Sequence, residues 1–471
     1  MILTIARKEF TTYFRSGVFI SLAAAIVALL VAAAALSSQR METYARERAS
    51  AKMVDRDVWD GQGEKNPHAA AHFARYAFKP IPRLVAFDPG ITDYAGIALW
   101  LEAHYQNPAV FRRAEDLGDA GRLADLSPAW VLQLAAPLFI FLILYSAVSG
   151  ERESGVLRQI ATTNARPRDL LLGKLLGVGF SLGIALLPAL ALALWILSKA
   201  QVASVLPDIG SRTIGLVILY TTFLAAVGAF AIGVSALFKE KRSALIFLSA
   251  LWAVSFVMLP RVASGVGVLF YPQPDPIALS AQLSKASKGA GGDAQYQAAI
   301  KKAVLTEYNV DSVEALPISY LGYTLQKAEE YSFDIFEDIY RRLDVQYDNQ
   351  ENVMRSFAVL SPVMSLRALS SGLAGADRLH QNAFRDGAEL HRRESIKLLN
   401  DDLMLNGKGQ RRYAAGADLW SQIKDFTYTP PRFVALLSHY AVHLIVVALY
   451  IILAFWFALW SLKRAHRRVA A

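Results

Sequence analysis

VFISLAAAIVALLVAAAAL, Val18–Leu36, contains no ionisable side chain, no proline and no glycine. A helix rises about 1.5 Å per residue, so roughly 20 apolar residues cross the ~30 Å hydrocarbon layer of a bilayer. The stretch is therefore read as a membrane span. Five more blocks qualify in the same way: Trp130–Ser149, Leu170–Leu197, Thr213–Phe238, Ser243–Leu259 and Phe433–Leu462. Pro260 and Arg261 interrupt the fifth before VASGVGVLF (Val262–Phe270), which reads as a kinked extension or a short re-entrant piece. The chain has 471 residues, 54% of them hydrophobic, and these blocks hold the excess over an ordinary soluble protein. The expected fold is an all-α polytopic membrane protein.

MILTIARKEFTTYFRSGVFISLAAAIVALLVAAAALSSQ (Met1–Gln39) also has the basic start and apolar middle of a secretory signal. Its apolar run is long for a signal and further spans follow, so it is read as retained. Basic residues then set the orientation. Arg7, Lys8 and Arg15 precede span one. Arg152, Arg158, Arg166, Arg168 and Lys174 follow span two, Lys239, Lys241 and Arg242 follow span four, and Lys463, Arg464, Arg467 and Arg468 end the chain. The short loop Ser198–Arg212 holds only Lys199 and Arg212. Both termini are expected in the cytoplasm. The expected division is 1–36 (an N-terminal segment and span one), 37–129 (a first external region), 130–261 (spans two to five), 262–432 (a second external region) and 433–471 (span six and a basic tail).

The net charge of +9 sits mainly on these flanks, where it suits anionic membrane lipids. No basic, aromatic-interleaved surface for nucleic acid is apparent. Cysteine is absent, which excludes disulfides and thiolate ligands.

Leu3, Ala6, Phe10, Tyr13 and Phe14 recur at helical spacing, with Arg7, Lys8 and Arg15 left for the wet side. That pattern predicts a helix in the membrane interface ahead of span one. Between spans two and three, GERESGVLRQIATTNARPRDLLLGKLLG (Gly150–Gly177) starts with Glu151, Arg152 and Glu153. Val156, Leu157 and Ile160 then form a short apolar face, and Pro167 ends the segment. A charged start with an apolar face suits a small helix that docks into a partner's groove.

This segment resembles the coupling element between the second and third spans of ABC-2-type permeases. ARKEFTTYFRSGVFI (Ala6–Ile20) resembles the interfacial elbow of the same family. LEAHYQN (Leu101–Asn107) and SSGLAGADRLHQNAF (Ser370–Phe384) resemble a bacterial subgroup with large external regions, related to permeases of multicopper-enzyme maturation. The resemblance implies a six-span permease subunit in a bacterial inner membrane. Two mainly helical periplasmic regions would face outward, and the chain would pair with a like chain and with ATP-binding subunits. Glu151, Arg152, Glu153, Gly155, Leu157 and Arg158 would face the ATPase, and the elbow would add Arg7, Lys8 and Glu9. The chain lacks a G-x-x-x-x-G-K-[ST] phosphate loop, since LLGKLLG has no second glycine at the required spacing and no Ser or Thr after the lysine. ATP and Mg would therefore belong to the partner, with no cofactor and no catalytic residue here.

The spans hold almost no ionisable groups, which argues against a proton- or sodium-coupled carrier and suits an apolar or amphipathic cargo. Gly173 and Gly177, then Gly179 and Gly183, have the spacing of close helix packing, within the subunit or at a dimer seam. Two rival readings remain. One is mechanical transmission to a periplasmic enzyme or assembly factor without cargo, and the other is an ATP-independent scaffold or receptor.

In the external regions, His68 and His72 share a helix face, while Glu102 and His104 follow later. Three histidines and a carboxylate bind zinc or copper when folding assembles them. There is no H-E-x-x-H arrangement, no cysteine and no Met-rich tract, so packing or partner contact is expected and no metal. His439 and His443 are read as interfacial polar anchors. Tyr320–Gln346 reads as an amphipathic helix, with Leu321, Leu325, Ala328, Ile335, Ile339 and Leu343 at helical spacing. Ser361–Asp377 is apolar enough to lie against the membrane or the other region.

Overall fold

The computed structural model describes residues 1–116, 126–163, 165–199, 206–410 and 412–470. It is an all-α polytopic membrane protein, with 6 helices among the described residues long and apolar enough to span: Gly17–Asp60, Pro128–Glu153, Pro167–Leu187, Ile209–Leu237, Lys241–Phe270 and Ala441–Arg468. Residues 200–205 of the loop between spans three and four lie outside the described residues.

The N-terminal helix Ile2–Phe14 is separate from span one. Ser16 caps the next helix, its hydroxyl accepting from Phe19 N at 3.4 Å. That helix, Gly17–Asp60, has 44 residues. At 1.5 Å per residue it is ~66 Å long, about twice the hydrocarbon thickness, so its second half projects beyond the membrane. At its far end Trp59 is 2% exposed and meets Trp420 edge to face, with ring centroids 5.8 Å apart. Trp59 Nε1 donates to Trp420 O at 3.0 Å, and Trp420 Nε1 donates to Gly63 O at 2.9 Å.

Span five runs unbroken through Pro260 and Arg261 to Phe270. A π-turn at Ala253–Met258 widens the helix just before Pro260, where a proline ring would otherwise clash with the carbonyl four residues back. Span two repeats the device, with a π-turn at Val131–Ala135 before Pro137. The sixth apolar block breaks at Tyr440, between helices Phe433–His439 and Ala441–Ala470.

The two long regions build one module on the far side of the spans from the N-terminal helix. Trp59, Ala70, Ala71 and Ala103 share a core with Ile396, Leu399 and Trp420, and Ala77, Leu99 and Leu101 share another with Phe384 and Tyr428. Helices Tyr320–Phe357 and Arg378–Asn406 pair antiparallel. Arg378 bonds Glu351 at 2.8 Å, Arg385 bonds Asp344 at 2.8 Å and Arg393 bonds Glu337 at 2.7 Å, so the partners run in opposite directions along the two helices. A short ribbon, Tyr76–Phe78 with Ala98–Trp100, is antiparallel.

Helix Pro362–Ala374 departs from simple surface packing. It wedges between the outer ends of the spans, where Val363, Leu366 and Leu369 join the transmembrane core. Small polar residues allow the close approach. Ser365 Oγ lies 3.0 Å from His443 Nδ1, Ser370 Oγ lies 2.8 Å from Tyr220 Oη, and Ser361 Oγ donates to Ser255 O at 2.5 Å.

Candidate functional site

The N-terminal helix, the segment after span two and span three meet in one ion cluster. Lys174, on span three, is 1% exposed, and Glu9, on the inner face of the N-terminal helix, is 5% exposed. The Lys174 ammonium donates to Glu9 Oε1 at 2.9 Å and to Glu151 Oε1 at 2.8 Å. Lys8, at the solvent rim, donates to the same two oxygens at 2.9 and 2.8 Å. Two carboxylates and two ammonium groups thus neutralise one another. A lone ion held away from water would be several kcal/mol unfavourable, so the cluster persists as a set. Burial pushes the Glu9 carboxyl up, but Lys174 and Lys8 outweigh it and hold it below the usual carboxylate range. Burial pulls the Lys8 ammonium down, and Glu151 and Glu9 outweigh that in turn, leaving it above an ordinary lysine.

Glycines let the N-terminal helix approach so closely. A Cβ on Gly173 would fall 2.6 Å from Ile5 Cβ, and one on Gly177 would fall 2.5 Å from Glu9 Cβ. Gly179 and Gly183 differ: nothing described lies within 4 Å of their Cβ positions, and both are exposed. Arg7 is exposed on the outer face of the N-terminal helix.

The segment after span two forms two short helices, Ser149–Glu153 and Val156–Ala161, joined at Gly155 with φ of +79°. That left-handed conformation favours glycine. Arg152 donates to Ala236 O at 2.7 Å and also to Phe238 O, at the C-terminal end of span four, where carbonyls and helix dipole favour a cation. Glu153 Oε1 accepts from Lys241 N at 2.7 Å, at the N-terminal end of span five, where an anion is favoured. Ser235 Oγ completes the tie, accepting from Val148 N at 3.0 Å and Ser149 N at 3.1 Å, and donating to Tyr145 O at 2.7 Å. Leu157 is 2% exposed and packs into the transmembrane core. The apolar face of this segment therefore turns onto the chain itself, because the spans offer the nearest apolar surface. Glu153, Ser154, Arg158 and Gln159 are the exposed positions.

On the far module, helix Pro67–Phe73 presents His68 and His72 one turn apart, and His104 comes to them from the loop after the strand Ala98–Trp100. One ligand nitrogen from each lies within 4.8 Å of the others. His68 Nε2 and His104 Nε2 are 3.3 Å apart. Glu329, fully buried, accepts both the His104 backbone N–H at 2.6 Å and its ring Nδ1 at 2.7 Å, and Arg392 neutralises Glu329 at 3.1 Å. Burial, helped by His104 and His72, pulls His68 down to about 4, and burial lowers His72 too. Glu102 stands apart, accepting from Asn107 Nδ2 at 2.9 Å. His443 is buried on Ser365 as described, and His439 is exposed, its ring 4.7 Å from Tyr440; neither belongs to a group of three metal-binding side chains among the described residues.

Sequence reasoning missed Ser235, Lys241 as a backbone donor, and Glu329, Arg392 and Asn400 around the histidines, and it read Arg212 only as a loop charge. Arg212 is fully buried at the outer end of span four. It donates to Gly372 O at 3.3 Å, Leu373 O at 3.4 Å and Pro431 O at 2.5 Å, clasping the wedge helix to the spans. A lone arginine at the start of an apolar run is the signal that points to such a clasp.

Residues 129–279 match the family model described as ABC-2 family transporter protein. Over those residues the chain is similar to ABC-2 family transporter proteins. That match covers spans two to five, with Glu151–Arg158, Lys174 and the four glycines inside it. Residues 277–429 match a domain of unknown function (DUF3526), which includes Glu329, Arg392 and Asn400 but not the three histidines. No curated protein matches the chain.

Proposed function

We propose that this chain is the permease subunit of an ABC transporter in a bacterial inner membrane, with both termini cytoplasmic and a periplasmic far module. ATP and Mg bind a separate ATP-binding subunit, and a second permease chain completes the complex. The Glu9–Lys174–Glu151–Lys8 cluster carries this reading. It joins the elbow, the coupling segment and span three into one body, and Arg152 and Glu153 extend that body to spans four and five. A push on the exposed edge of Arg158, Gln159 and Arg7 therefore reaches all five elements at once. The exposed Gly179–Gly183 stripe offers a close-packing surface for the second chain. An apolar cleft of about 400 Å³ between spans, lined by Phe141, Phe223, Phe230, Phe256 and Phe457, suits an apolar or amphipathic cargo.

The continuous 44-residue first helix favours a second reading, in which ATP-driven motion acts on a periplasmic enzyme or assembly factor without cargo crossing. Native complexes purified in mild detergent and rebuilt in vesicles separate the readings. ATP-dependent release of material across the vesicle supports transport; ATPase stimulated by a periplasmic partner without flux supports transmission. Arg158→Glu should weaken ATPase association or coupling while insertion stays intact. Absence of any associated ATPase, or labelling that places Arg158 outside the cell, overturns both and favours an ATP-independent scaffold.

A further inference from the structure

We infer that His68, His72 and His104 form a three-imidazole site for a divalent transition ion of the zinc type on the far module. The inference is independent of which ATPase or cargo the membrane part serves, and it departs from the sequence expectation of no metal.

The argument rests on where the ring protons sit. Glu329 accepts from His104 Nδ1 at 2.7 Å and is already charge-paired with Arg392, so the His104 proton belongs on Nδ1. Its Nε2 then carries a lone pair. Around His68, Nδ1 and Asn400 Oδ1 are both buried without a hydrogen-bond partner of good geometry, while Asn400 Nδ2 is committed to Gln326 Oε1 at 3.1 Å. An N–H on His68 Nδ1 and the free Asn400 oxygen are complementary, and Asn400 is among the groups acting on that ring. That tautomer leaves the His68 Nε2 lone pair facing the His104 Nε2 lone pair across 3.3 Å. Two lone pairs at that separation repel unless a cation lies between them.

The spacing also has a metric meaning. Zinc–imidazole bonds of ~2.0–2.1 Å at a tetrahedral angle place two ligand nitrogens ~3.3–3.4 Å apart. The third ring supports the same centre, since His72 lies one helical turn from His68 with ring centroids 4.7 Å apart, and 5.3 Å from that of His104. His72 is exposed, so the fourth coordination position opens to water, the pattern of three protein ligands with one open site. A carboxylate orients the His104 ring, and the unpartnered Asn400 oxygen is available to the His68 ring. The backbone adds an independent sign. His104 has φ of +62°, a conformation costly for a non-glycine residue and retained where surroundings over-determine it. Here Glu329 fixes both the backbone and the ring.

The test uses the full chain in detergent, stripped with chelator and titrated with Zn²⁺. Metal retained after gel filtration and the thermal unfolding midpoint are the readouts, and Co²⁺ absorption reports tetrahedral nitrogen coordination. One Zn²⁺ per chain and a raised midpoint are expected. His72→Ala, at an exposed position, should weaken binding at least tenfold while metal-free unfolding stays at the wild-type temperature. Glu329→Gln should weaken it by roughly 10–100-fold, and His439→Ala should leave it unchanged. Zinc retention no greater than in the His68→Ala/His72→Ala/His104→Ala triple variant overturns the assignment. So does stoichiometric Cu²⁺ binding without Zn²⁺ binding, which contradicts a tetrahedral zinc site.

Discussion

Glu9 and Lys174, 165 positions apart in sequence, are joined across 2.9 Å with side chains only 6% and 2% exposed. Lys174→Met would leave Glu9 and Glu151 with the rim lysine alone. Removing one partner of a buried pair costs roughly 3–5 kcal/mol. The expected result is a detached N-terminal helix, seen as rapid hydrogen exchange over residues 2–14 while the far module stays protected.

The same cluster sets a pH range. The Glu9 carboxyl is held below its ordinary value, so its contribution is present above the unfolded carboxylate range and lost as pH falls through the lower folded value. Lys8 is raised, so its contribution is present below the ordinary lysine value and fades as pH rises through the higher folded value. Protection of residues 2–14 should therefore stay flat from about pH 5 to 9. A midpoint near pH 7 would contradict the pairing.

Gly177→Ala should destabilise the N-terminal docking by roughly 1–3 kcal/mol, because the new methyl meets Glu9 Cβ at 2.5 Å. Gly179→Ala, with nothing described within 4 Å, should change the stability of a single chain by less than about 0.5 kcal/mol. Thermal unfolding of the two variants makes the comparison, and crosslinking across Gly179 reads whether a second chain covers that face.

Leu157→Asp should cost several kcal/mol by placing a charge in the transmembrane core, so its loss of function would be a folding defect. Arg158→Glu, on the exposed edge, should leave the unfolding temperature unchanged. The pair separates packing from partner contact.

Lys79 is 3% exposed, its ammonium donating to Gln381 Oε1 at 2.8 Å. Burial pulls it down to about 8, with Asp377 offsetting part of the shift. Between about 8 and the ordinary 10.5 the unfolded chain holds a proton that the folded chain lacks, so stability should rise with pH across that window. Lys79→Met should remove that rise and stabilise the protein near pH 7 by roughly 1–3 kcal/mol. Thermal unfolding at several pH values tests both.

The six spans were legible because a bilayer demands long apolar runs and little else. Pro260 was ambiguous, since sequence does not reveal that a π-turn at Ala253–Met258 makes room for it. In the segment after span two the charged start was visible, but the direction of Leu157 was not, because an apolar stripe fits its own spans as well as a partner. Glu9 and Lys174 carried a weak signal, opposite charges at the edges of apolar runs, with nothing to say that they meet. The histidines were visible as a spacing of four plus a distant third. Their assembly depended on Glu329, more than two hundred residues further on, which no local pattern connects to His104.

The unbroken helix from Gly17 to Asp60 turns angle into distance. Over ~66 Å, a tilt of about 5° at its root sweeps the tip by roughly 5–6 Å. Trp59 delivers that sweep to Trp420, so a modest reorientation near the N-terminal helix arrives in the far module as a displacement comparable to one helical turn.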